Sequence, residues 1–110
     1  VAVADWAKID VGFLRHPQVV GLKPAEQLGY LAMILWSQEY ETDGVVPDAA
    51  MRVIAVTDRE AKAMQAAGLV SRAGHTWVID GFTRKQRSAA ELERERERAR
   101  ERRTRGRSVA

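Results

Sequence analysis

Arg59, Lys62 and Gln65 stand three residues apart, a spacing that sets all three on one face of a helix. Their chemistry is directional hydrogen bonding. A guanidinium and a carboxamide can each form two parallel bonds with a flat donor–acceptor edge, as guanine and adenine present, and an ammonium adds a point contact to a base or a phosphate. The same three side chains also suit an ordinary solvated helix face. Met64 and Ala67 on the same segment are placed to turn inward. Asp58 and Glu60 lie close by and would repel phosphate, so a contact surface has to exclude them.

Other cations could extend such a surface. Arg52 precedes the face. Arg72, His75 and Thr76 sit at or near the tip of a hairpin turning at Ala73-Gly74-His75, which could touch a nucleic-acid backbone or minor groove. The alternative for these three is a soluble turn. Arg84, Lys85 and Arg87 follow, and Arg102, Arg103, Arg105 and Arg107 form a denser basic end.

Catalytic chemistry finds little support. His16 and His75 have no carboxylates at metal-ligand spacing, and there is no cysteine. No glycine-rich phosphate loop or nucleophile elbow is present. The expectation is a non-enzyme with no metal, cofactor or small-molecule substrate. His16, beside Pro17, suits a cap or packing role. Trp77 suits the core better than a base-stacking platform, since no aromatic cluster accompanies it. No apolar run approaches the roughly 18 residues of a membrane span, and the N-terminus lacks a signal-peptide pattern, so a cytoplasmic protein without a membrane partner is expected.

The elements that would position these residues are legible. Trp6–Val11 suits a short strand or an extended arm. Pro17 can open one helical turn and Gly21 can close it, with Phe13, Leu14, Val19 and Val20 packed over the core. Pro24–Tyr40 is the longest helix. Its band of Leu28, Leu31, Ala32, Ile34, Leu35 and Trp36 is wider than one stripe, which predicts a helix covered on more than one side. Lys23 offers no N-cap side chain, a loss of about 1 kcal/mol. Asp43-Gly44 makes a turn, and Val45–Pro47 a brief strand. Asp48–Ala55 forms a helix with Met51, Ile54 and Ala55 on one side and Arg52 outward. Thr57-Asp58-Arg59-Glu60 is a capping box that starts a second helix, Asp58 to Ala67, stopped by Gly68. Leu69–Arg72 and Thr76–Asp80 make a hairpin. The result is mainly α with a small β-hairpin, a winged helix-turn-helix over residues 1–82.

Residues 83–110 are a charged helical tail. Glu91–Arg94, Glu93–Arg96, Glu95–Arg98 and Glu97–Arg100 place opposite charges three apart, each pair contributing about 0.2–0.5 kcal/mol. Leu92 is its one large apolar residue before Val109, so no coiled-coil seam runs along it. A solvent-exposed helix from about Thr83 to Arg103 is expected. Net charge is uneven. Residues 1–82 hold seven Lys+Arg against ten Asp+Glu, and residues 83–110 eleven against five. The body is mildly acidic, so attraction to phosphate has to come from a local patch or from the tail.

The strings Trp6-Ala7-Lys8-Ile9-Asp10-Val11-Gly12-Phe13-Leu14-Arg15-His16-Pro17 and Thr42-Asp43-Gly44-Val45-Val46-Pro47, with the helix between them, carry a resemblance over about residues 5–82. The chain resembles the N-terminal winged-helix domain of phage and prophage replication initiator, or replisome-organiser, proteins and related phage helix-turn-helix proteins. The resemblance implies double-stranded DNA binding without catalysis, in bacterial or phage-infected cytoplasm. A replication protein or a second copy of the chain would be a further partner. Lys23, in place of a capping serine, and the Arg/Glu-rich tail depart from that pattern. The alternative is a winged helix that docks proteins through its acidic body and has no specific DNA binding.

Overall fold

The computed structural model describes the backbone of residues 5–109 and the side chains of residues 5–106. After a 3-10 turn at Phe13–Arg15 come α1 (Pro17–Val20), α2 (Pro24–Tyr40), β1 (Val45–Pro47), α3 (Asp48–Val53) and α4 (Asp58–Ala66). Then follow β2 (Val70–Ala73), β3 (Thr76–Ile79), α5 (Phe82–Lys85) and α6 (Ala89–Val109). The strands form one antiparallel sheet in the order β1-β3-β2, with Trp77 opposite Val46 on one side and Arg72 on the other. Helix, strand, two helices and a hairpin that pairs back onto the first strand make a winged-helix arrangement. A long C-terminal helix is added to it.

Local chemistry accounts for most element ends. Thr57 Oγ1 accepts from the Glu60 amide at 3.2 Å, and Glu60 Oε1 accepts from the Thr57 amide at 2.8 Å, the reciprocal cap that starts α4. At α2 only half of that exchange exists: Glu26 Oε1 accepts from the Lys23 amide at 2.8 Å. His16 Nδ1 accepts from the Gln18 amide at 3.3 Å and caps α1. α3 stops two residues earlier than expected because Ala55 takes a left-handed conformation, φ 58°.

The core lies between α2, α4 and the sheet. Met33, Val46, Ala61 and Met64 are fully buried, with Trp77 and Ile79 beside them. Gly29 brings α4 close to α2: a Cβ there would sit 3.0 Å from Met64 Cε. Under the sheet, Gly44 adopts φ 92°, and a Cβ would meet Phe82 Cβ at 2.7 Å. Its amide donates to Ser37 Oγ at 2.7 Å, and that hydroxyl also bonds Thr42 Oγ1 at 2.6 Å.

Three expectations are corrected. Leu14 and Val20 do not pack over the core; both are mostly exposed, while Phe13 stacks on Tyr30 at 5.9 Å. α2 is not covered on its outer side, where Leu28 and Leu35 remain open to solvent. The tail is not one free helix from Thr83. It breaks at Gln86–Ser88, and its root is packed against the N-terminal arm.

That packing is specific. Residues 6–11 form an arm without a strand. The Gln86 carboxamide substitutes for a strand partner, accepting from the Lys8 amide at 2.7 Å and donating to the Lys8 carbonyl at 2.5 Å. Arg87 lies over the Trp6 ring at 3.9 Å, donates to the Trp6 carbonyl and pairs with Glu95 at 2.8 Å. Ser88 Oγ accepts from the Glu91 amide, and Asp43 Oδ1 accepts from the Ala89 amide at 2.7 Å, so two acceptors serve the start of α6. One turn on, Leu92 is fully buried, and Arg96 forks onto Glu41 with both nitrogens.

Candidate nucleic-acid interface

α4 presents Arg59, Lys62 and Gln65 to solvent while Ala61 and Met64 face the core, so the expected face exists. Lys62 is not unattached. Its ammonium pairs with Asp58 at 2.9 Å, but both side chains are about two-thirds exposed, and such a pair exchanges readily for another anion. Glu60 is turned back into the cap at Thr57. The Arg59 and Gln65 side chains make no hydrogen bond or ion pair among the described residues.

The wing is short and held down. Gly74 and His75 form a two-residue turn, with φ 61° at Gly74, between the facing residues Ala73 and Thr76. The His75 carbonyl accepts from the Asp48 amide at 2.9 Å, which ties the tip to the start of α3. Thr76 Oγ1 donates to the Ala73 carbonyl at 2.7 Å. Arg72 is spoken for: its two terminal nitrogens donate to the two Asp48 oxygens at 2.6 and 2.8 Å, and its guanidinium lies 4.9 Å over Trp77. The Arg72 hydrogen bonds hold the Asp48 carboxyl below the usual carboxylate range, helped by the charges of Arg72, His75 and Arg52. Arg52, Arg72, Asp48 and Asp58 line one shallow cleft of about 230 Å³ between the helix pair and the wing.

The remaining expected residues separate into three groups. Arg84 and Lys85 are exposed on α5. Arg102 and Arg103 are exposed far out on α6, with Arg105 beside them, and the Arg107 side chain lies outside the described residues. Arg87 departs from expectation. Expected among the cations that extend the surface, it is instead 8 % exposed and closes the arm onto α6. Its neighbours Trp6 and Glu95 take up the planar cation, leaving it turned away from any ligand.

Sequence reasoning missed the anion at the centre of the wing. Asp48 is 24 residues from Arg72, and nothing local announces the pairing. It likewise missed Asp43 and Glu41 as anchors of α6. Among the described residues no cluster of His, Cys, Asp or Glu could hold a metal, and no helix is long and apolar enough to cross a membrane. The architecture is a winged-helix arrangement, mainly helical with a small three-stranded antiparallel sheet and a long C-terminal helix. No family model, curated protein or solved structure matches this chain.

Proposed function

We propose that this chain is a non-catalytic double-stranded DNA-binding module, of the phage replication initiator or organiser kind or a regulator on the same fold. It acts in bacterial or phage-infected cytoplasm. α4 enters the major groove, Arg59 and Gln65 meet base edges, and Lys62 exchanges Asp58 for a phosphate or a guanine. Arg52, Arg84 and Lys85 add backbone contacts from either side, and Arg102 and Arg103 add charge at a distance. The observation that carries this reading is the outward Arg59–Lys62–Gln65 face on the second helix of a helix-turn-helix, with its inner face wholly in the core.

The wing contributes less than a free cationic loop would, because Asp48 neutralises Arg72. A second reading rests on that neutralisation and on the acidic body: a protein-docking winged helix with no specific DNA binding.

Mobility-shift titration on random duplex and on DNA flanking the gene, at two salt concentrations, separates the two. The DNA reading expects affinity to fall steeply with salt. It also expects the Arg59, Lys62 and Gln65 triple alanine variant to lose about 3 kcal/mol or more and to lower the salt slope by about 1, the phosphate contact of Lys62. Unchanged affinity in that variant, or no duplex binding at low salt, refutes it.

A further inference from the structure

α2 carries apolar residues on two opposite sides. Its inner side is consumed by the core. On its outer side Leu28, Leu31 and Leu35 follow one another by three and four residues, the rhythm of a helix that packs along a second helix. Leu28 is 66 % exposed and Leu35 48 %. The N-terminal arm and the 3-10 turn after it form a second wall, where Val11 is 98 % exposed and Leu14 62 %. A groove of about 710 Å³ runs between arm and helix. Asp10 and Arg15 both line it, and neither makes an ion pair among the described residues.

We propose that this face binds the same face of a second copy of the chain about a two-fold axis, with the two α2 helices antiparallel. Charge selects the occupant. A two-fold interface has to complement itself, and a rim bearing one carboxylate and one guanidinium does so: Asp10 meets the partner's Arg15, and Arg15 meets the partner's Asp10. A uniformly acidic or basic partner would leave one of the two opposed. The apolar rhythm agrees, since an antiparallel register sets Leu28 against the partner's Leu31 at two equivalent places.

The chain's own α6 does not fill the groove. Its root is fixed at Asp43 and Glu41, and Leu92 is already buried. The face also lies away from α4, which packs on α2 at Gly29, so pairing leaves Arg59, Lys62 and Gln65 uncovered. Few large apolar side chains are open here, which makes a small interface, so the dimer is concentration-dependent.

Sedimentation equilibrium on the full chain tests the assignment without DNA, so its outcome is independent of the reading above. The mass is expected to rise from 12.3 kDa toward twice that value as concentration climbs through the micromolar range. Leu28→Glu, at an exposed position, should weaken association by about tenfold or more, and circular dichroism should confirm that it folds. Arg15→Glu should weaken it similarly, and Arg15→Lys should retain it. A wild-type chain that stays monomeric to millimolar concentration overturns the proposal. So does a dimer indifferent to Leu28→Glu and Arg15→Glu.

Discussion

Leu92→Ala tests whether the root of the C-terminal helix belongs to the folded body. Leu92 is fully buried yet stands outside the contiguous core formed by α2, α4 and the sheet. Removing its branched end forfeits about 2 kcal/mol of transfer free energy, and the vacated space raises the loss to about 2–4 kcal/mol. The other attachments of this segment are polar: the Ser88 cap, the Asp43–Ala89 hydrogen bond, the Arg87–Glu95 pair and the Arg96–Glu41 fork. They constrain geometry without replacing buried hydrocarbon, so the substitution should release α6 before it unfolds the domain. Native-state hydrogen exchange reads this directly. Amides in the first two turns of α6 should lose protection by roughly thirty- to a thousand-fold, since each 1.4 kcal/mol is a factor of ten. Amides of α2 and α4 should change far less. Unchanged protection in α6, or uniform loss across the whole chain, would refute the reasoning.

Other outcomes follow from single sites. Gln38 is buried with neither its side-chain oxygen nor its side-chain nitrogen hydrogen-bonded among the described residues, so Gln38→Met should raise stability by about 1–3 kcal/mol in urea titration. A loss instead would mean that a buried water serves the amide. Gly44→Ala should destabilise by about 2 kcal/mol or more, because a left-handed backbone and the Phe82 side chain both oppose a Cβ. Glu41 is held below the usual carboxylate range by the Arg96 hydrogen bonds, and Asp48 by those from Arg72. Each therefore binds its proton less readily folded than unfolded. Their stabilising contributions are complete above the ordinary carboxylate pKa and vanish as pH falls through the depressed values. Thermal melts taken from about pH 5 toward pH 2 should show that loss, and Glu41→Gln should flatten part of it.

Features governed by near neighbours were visible in the sequence. The Thr57–Glu60 cap, Pro24 at the head of α2, the brief strand ending at Pro47 and the turn at Gly74 each depend on residues within four positions of one another. The three-residue spacing of Arg59, Lys62 and Gln65 was also enough to place them outward. Partnerships across the fold were hidden. Asp48 with Arg72, Lys8 with Gln86 and Trp6 with Arg87 join residues brought together only by tertiary packing. Arg87 shows the consequence. Its composition matches that of its basic neighbours, and only the position of Trp6 decides that it is buried. Leu14, Val20 and Leu28 erred the other way, because an apolar residue in an apolar run gives no sign of which side of its element the body occupies.

α6 is a rod clamped at one end. From Ser88 to Arg103 it runs about 22 Å, so tilting its base by about ten degrees swings the far guanidiniums through about 4 Å. Asp43, Glu41 and Trp6 thus act as a fulcrum. Small adjustments among them re-aim charges that they never touch.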